Sequence, residues 1–61
     1  MFKVAIWCGN WNIMNGKLLF LPQIGERMMI NGRPYEVKML TYHIADGDFT
    51  VVPVTIEVVQ E

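Results

Sequence analysis

Serine is absent from this chain, and cysteine and histidine occur once each, as Cys8 and His43. A serine nucleophile is therefore excluded. One cysteine cannot close an internal disulfide, and one thiol with one imidazole falls short of the four ligands of a closed zinc site. No metal and no cofactor are expected. Charge is also scarce, at 18% of residues against 52% hydrophobic, with a formal net charge of −1. The cations Lys3, Lys17, Arg27, Arg33 and Lys38 are scattered along the chain, so the clustered basic footprint of a nucleic-acid binder is missing. The longest apolar stretch near the start, MFKVAIWCGNW, is too short for a membrane-spanning helix and has no small-residue cleavage site, so it reads as a strand. With a free cysteine and no targeting segment, a reducing, cytoplasmic setting without membrane association is expected.

What is present points to β structure. Sixty-one residues make one domain, 1–61, near the lower size limit for independent folding, where a chain hides only about 60% of its unfolded surface. Such domains compensate with disulfides, metals or oligomerisation. Only the last is open here, and the high apolar content agrees with a homo-oligomer or a permanent partner. The five methionines can equally serve to fill a thin core. Phe2 to Cys8 alternates, with Phe2, Val4, Ile6 and Cys8 on one face and Lys3, Ala5 and Trp7 on the other, as a half-buried strand does. Gly9 to Gly16 holds two turn signals, Gly9-Asn10 and Asn15-Gly16. If both were tight turns the strand between them would be very short, so the segment reads as one loop. Lys17 to Leu21 then forms the second strand. Pro22-Gln23-Ile24-Gly25 redirects the chain, and no stretch has sustained helical periodicity.

Asn31-Gly32 is the clearest hairpin signal. Taken as a two-residue turn it pairs Ile30 with Arg33, Met29 with Pro34, Met28 with Tyr35 and Arg27 with Glu36, an oppositely charged pair. Pro34 falls at a non-hydrogen-bonded position, where its missing N–H costs that ladder nothing. Asp46-Gly47 gives a second hairpin, pairing Ile44 with Phe49, Tyr42 with Val51, Leu40 with Pro53, Met39 with Val54, Val37 with Ile56 and Tyr35 with Val58. Together the registers predict a core of Met28, Ile30, Tyr35, Val37, Met39, Val54, Ile56 and Val58. They also leave Leu40, Tyr42, Ile44, Phe49 and Val51 on the opposite face. Either a bulge near Met39–Thr41 swings that tip inward, or another subunit or a ligand covers it.

Pro22-Gln23-Ile24-Gly25-Glu26, a short apolar strand, Asn31-Gly32 and Tyr35-Glu36-Val37 form a pattern over the middle third of the chain. It resembles short phage and prophage proteins of SH3-like or related small β folds. The matching residues are turn and core types, and none is catalytic. The resemblance implies a structural accessory or an inhibitor of host defence, acting in the host cytoplasm, including oligomeric sponges for nucleotide-derived signals.

Candidate chemistry is thin. Cys8 with His43 could form a thiolate pair, but Cys8 falls on the apolar face of its strand and reads as an inert buried thiol. Asp46 and Asp48 are explained by turn chemistry. The chain is not expected to be an enzyme. Trp7 and Trp11 with Asn10, Asn12 and Asn15 combine stacking faces with amide donors and acceptors, an inventory suited to a nucleobase or a peptide. In the plainer reading Trp11 covers one end of the core and the asparagines serve turns. Arg33, beside its turn, could meet a phosphate. The sequence therefore predicts an all-β domain of about five antiparallel strands, a small SH3-like barrel or strongly coiled sheet, assembled as a homo-oligomer. It would bind a small nucleotide-derived ligand through Trp7, Asn10, Trp11, Asn12, Asn15 and Arg33. The alternative is a protein-protein module docking through Leu40, Tyr42, Ile44, Phe49 and Val51.

Overall fold

Five strands form one curled sheet, seen in a computed structural model that describes residues 1–44 and 53–61. They are β1 (Phe2–Cys8), β2 (Trp11–Leu18), β3 (Arg27–Ile30), β4 (Arg33–Thr41) and β5 (Val54–Gln60). The strand order is β2-β1-β5-β4-β3, and the sheet curls strongly into a half-barrel, as the all-β expectation requires. Its strands are not all antiparallel, because β1 and β5 run parallel, with Val4 opposite Val54 and Ile6 opposite Ile56. Hairpin turns dictate antiparallel pairs only between strands consecutive in sequence. The β1–β5 pair joins strands far apart in the chain, and no turn specifies its direction.

The β3–β4 hairpin has the register set by its turn, from Ile30 opposite Arg33 to Arg27 opposite Glu36. Asn31 and Gly32 both take positive φ, 52° and 79°, the signature of a type I′ turn. Before β3, the Glu26 N–H donates to the Gln23 carbonyl at 3.0 Å, with Gly25 at φ 93° in the third position, as a type II turn requires. Gly25 and Glu26 together oppose Val37: the Gly25 N–H donates to the Val37 carbonyl, and the Val37 N–H to the Glu26 carbonyl, each at 2.9 Å. This is a glycine bulge, and it makes the Pro22–Gly25 breaker part of the sheet.

Three expectations are corrected. First, residues 9–16 are not a loop. Gly9-Asn10 is a two-residue turn, and β2 pairs along all of β1 from Cys8–Trp11 to Phe2–Leu18. Asn15-Gly16 lies inside the strand, opposite Ala5 and Val4, and β2 ends at Leu18 where Lys17–Leu21 was expected to be a strand. Two competing turn signals cannot both be tight, and the earlier one lets seven residues of β1 find partners. Second, β5 is displaced along β4. Val37 pairs with Val58 where Ile56 was expected, and Thr41 pairs with Thr55 after a register shift between Val37 and Met39. A tight turn at Asp46-Gly47 would pair Thr41 with Val52; the turn residues themselves, with Phe49 and Val51, lie outside the described residues. As the central strand, β5 must also match β1, and that match brings Ile56 and Val58 into the core beside Val4 and Ile6.

Third, the shift exchanges two side chains. Met39, placed in the core by the sequence, is 50% exposed, whereas Leu40, placed on the outer face, packs against the core. The extra residue at Lys38 turns Leu40 inward, which is the bulge alternative in a slightly earlier position. The buried core is Val4, Ile6, Ile30, Tyr35, Val37, Ile56 and Val58, with Met28 and Val54 packed at its margin. β4 ends at Thr41, so Tyr42 and Ile44 extend past the sheet and are exposed.

Two outcomes follow for equilibrium denaturation. Leu40→Lys should cost about 1–3 kcal/mol, by placing a charge against the core, and Met39→Lys less than about 0.5 kcal/mol; the reverse order would contradict the bulge. Gly25→Ala should cost about 1–2 kcal/mol through its backbone alone, since nothing lies within 4 Å of an added Cβ. At Gly16 an added Cβ meets only the flexible Met14 methyl, at 3.3 Å, and the substitution should be close to neutral.

Candidate cleft between the two hairpin ends

Among the described residues, β2 and β3 are the two edge strands of the half-barrel. At the end where the β1–β2 and β3–β4 turns lie, the sheet opens into a cleft of about 360 Å³. Cys8, Trp11 and Ile13 line it from one hairpin, Ile30, Asn31, Arg33 and Tyr35 from the other, and Gln60 from the end of β5. Its volume is at the lower end of the range for small-molecule sites, about 300–1,000 Å³.

Local structure explains how these side chains arrive. Between Ile6 and Trp7 the β1–β2 register shifts, leaving Ile13 as the extra residue of β2. The bulge restores Trp11 to a position opposite Cys8, on the face where both line the cleft. Asn12 holds the irregularity in place: its Nδ2 donates to the Ile6 carbonyl and to Asn15 Oδ1, each at 3.1 Å. Trp11 remains 73% exposed, so its indole is a wall of the cleft and not part of the core. Tyr35 is buried and forms the floor with Ile30. On the far side, the type I′ turn holds Asn31 beside Arg33, and both are exposed.

Of the expected ligand-binding residues, Trp11 and Arg33 line the cleft and the other four do not. Trp7 is half-buried on the outer face, opposite Asn12 and beside Glu57. Asn10 occupies the turn, and Asn12 and Asn15 bond to each other as described. Cys8, Ile13, Ile30, Asn31, Tyr35 and Gln60 were not anticipated as site residues. Their types gave little signal, since each reads as core, turn or strand end. Asn31 next to Arg33 is the exception, because the turn itself places an amide beside a guanidinium.

Electrostatics mark Arg33 out. Arg27 donates through Nε and Nη2 to the two Glu61 carboxylate oxygens at 3.0 and 2.8 Å, and Lys38 pairs with Glu36 at 2.9 Å. The Arg27 guanidinium is held above its ordinary pKa by the hydrogen bonds to Glu61, then by that carboxylate's charge and more weakly by Glu36. Arg27 thus meets Glu61, although Glu36 is its cross-strand neighbour. Among the described residues Arg33 has no carboxylate within ion-pair distance.

The Cys8–His43 pair considered from the sequence is not assembled. Cys8 lines the cleft, whereas His43 Nε2 shares a hydrogen bond with Thr55 Oγ1 at 2.9 Å. Thr55 sits opposite Ala5 and Thr41, toward the other end of the sheet. No helix is long and apolar enough to cross a membrane, and no group of three or more potential metal ligands occurs among the described residues. Comparison with protein-family models, curated proteins and solved structures gives no match to this chain.

Proposed function

We propose that the protein is a non-enzymatic binding protein for a small, planar, anionic ligand of the nucleotide class. The observation that carries this reading is the cleft in which Trp11 and Arg33, from two different hairpins, line one volume. An exposed indole offers a stacking face to any base. The Arg33 guanidinium, without a carboxylate partner among the described residues, offers paired donors to a phosphate. Asn31 and Gln60 add amide groups able to bond a base edge or a ribose hydroxyl, and the apolar floor of Ile30, Ile13 and Tyr35 excludes water beneath the ring. Nothing in this set performs chemistry on the ligand, so holding it is the activity. Sequestration of a nucleotide-derived signal by a phage-type homo-oligomer, the role implied by the sequence resemblance, belongs to the same reading.

A second reading has one observation in its favour. Tyr42 and Ile44 follow the end of β4 with their side chains in solvent, Ile44 at 91% exposure. An apolar extension of this kind suits a protein partner or a second copy. Leu40, expected to belong to it, packs on the core and contributes no surface of that kind.

The ligand reading is tested by tryptophan fluorescence and thermal shift with cyclic and linear nucleotides. In a Trp7→Phe background, binding should quench Trp11. Trp11→Ala should weaken affinity roughly 5- to 150-fold, the equivalent of about 1–3 kcal/mol of lost stacking, and Arg33→Ala should weaken phosphorylated ligands selectively over nucleosides. Absence of any nucleotide-dependent shift would overturn the reading. Light scattering tests assembly separately: the wild type should exceed the mass of a monomer, and Tyr42→Glu/Ile44→Glu should reduce it to one only if the extension is the interface.

A further inference from the structure

Away from the cleft, toward the far end of the β1–β2 hairpin, the pairing sets two lysines directly opposite each other. Lys3 faces Lys17 in the antiparallel register, an arrangement that costs stability because like charges are held side by side. Both are exposed. Neither has a carboxylate within ion-pair distance among the described residues, although Arg27 and Lys38 each have one. The two lysines line an open depression of about 410 Å³ with Val4, Asn15, Gly16 and Pro53. Asn15 is oriented by its Oδ1, which accepts from Asn12. Its own NH₂ group has no hydrogen-bond partner among the described residues.

We infer that Lys3, Lys17 and Asn15 form a second anion site, separate from the cleft, that takes a phosphate monoester. Two ammonium groups match the charge of a monoester, about −1.5 to −2 at neutral pH. An anion bridging the lysines would turn a repulsive cross-strand pair into an attractive triad. The monoester could be free or the headgroup of a lipid. Phe2 and Leu18, the adjacent cross-strand pair, lie on the opposite face of the sheet from the lysines, and Phe2, Leu19 and Phe20, close to them in sequence, are exposed apolar residues.

The probes are inorganic phosphate, followed by amide NMR, and phosphatidylcholine vesicles with or without phosphatidic acid, followed by sedimentation. Phosphate should shift the Asn15–Lys17 amides saturably. Lys3→Gln/Lys17→Gln should weaken that binding at least tenfold, while Arg33→Ala should leave it unchanged. Sedimentation only with phosphatidic acid, lost in the double variant, identifies a lipid headgroup as the source. Phosphate binding without sedimentation identifies a free anion. A readout that needs no variant is the melting temperature of the wild type, which should rise more in phosphate than in sodium chloride of equal ionic strength. Equal rises, no binding of either probe, or binding retained in the double variant would overturn the inference.

Discussion

The parallel pairing of β1 with β5 is the constraint on which the rest of this fold depends. Four of the seven side chains buried among the described residues, Val4, Ile6, Ile56 and Val58, belong to these two strands. Without that pair the sheet would fall into a β1–β2 hairpin and a separate three-stranded β3–β4–β5 sheet, and an isolated two-stranded hairpin is marginal in water. The pair is also the costliest contact to form, since it joins residues near position 4 to residues near position 54 before any core reward is collected. Folding is therefore expected to be all-or-none, with local hairpins stabilised only when β5 inserts between β1 and β4.

Among the described residues the half-barrel remains open, and its two edge strands are protected in different ways. β2 carries the Ile13 bulge and an edge lysine, Lys17. β3 is only four residues long and carries Arg27. Bulges, charges and short length are the devices that discourage strand addition by another chain. Assembly with a second copy, in the proposed function, would thus use apolar side chains beyond or outside the sheet in preference to edge pairing. Met29, Met39 and Val59 are exposed on the outer face and extend the surface open to such contact past the Tyr42–Ile44 extension.

How much of this was legible in the sequence varies with how local each determinant is. Asn31-Gly32 specified its hairpin to the residue, because two positive-φ positions and a short strand leave one register. Asn15-Gly16 carried the same signal and was overridden, since placing it in β2 allowed all of β1 to pair. The Asp46-Gly47 register failed for a non-local reason: β5 answers to β1 as well as to β4, and a turn carries no information about a parallel neighbour. Met39 and Leu40 exchanged roles for the same reason, through a bulge that reconciles the two registers. At the cleft, the chemistry of Trp11 and Arg33 could be read from residue type. Their meeting could not, because it is produced by the closure of β1 on β5.

The ion pairs of the outer face bear on that cleft. An exposed pair such as Arg27–Glu61 contributes little to overall stability, and high salt would weaken it further. Its geometry nevertheless fixes a position. The guanidinium holds both oxygens of Glu61, and the Glu61 N–H donates to the Pro34 carbonyl at 3.1 Å. Pro34 has no N–H to return, so the ladder between β4 and β5 ends there with one backbone bond, and Arg27 supplies what the proline withholds. Gln60, one residue earlier, is thereby kept paired with Tyr35 at the wall of the cleft. Arg27 lines no part of the site, yet it positions the strand end that completes it, which gives an exposed ion pair a role that its contribution to stability would not suggest.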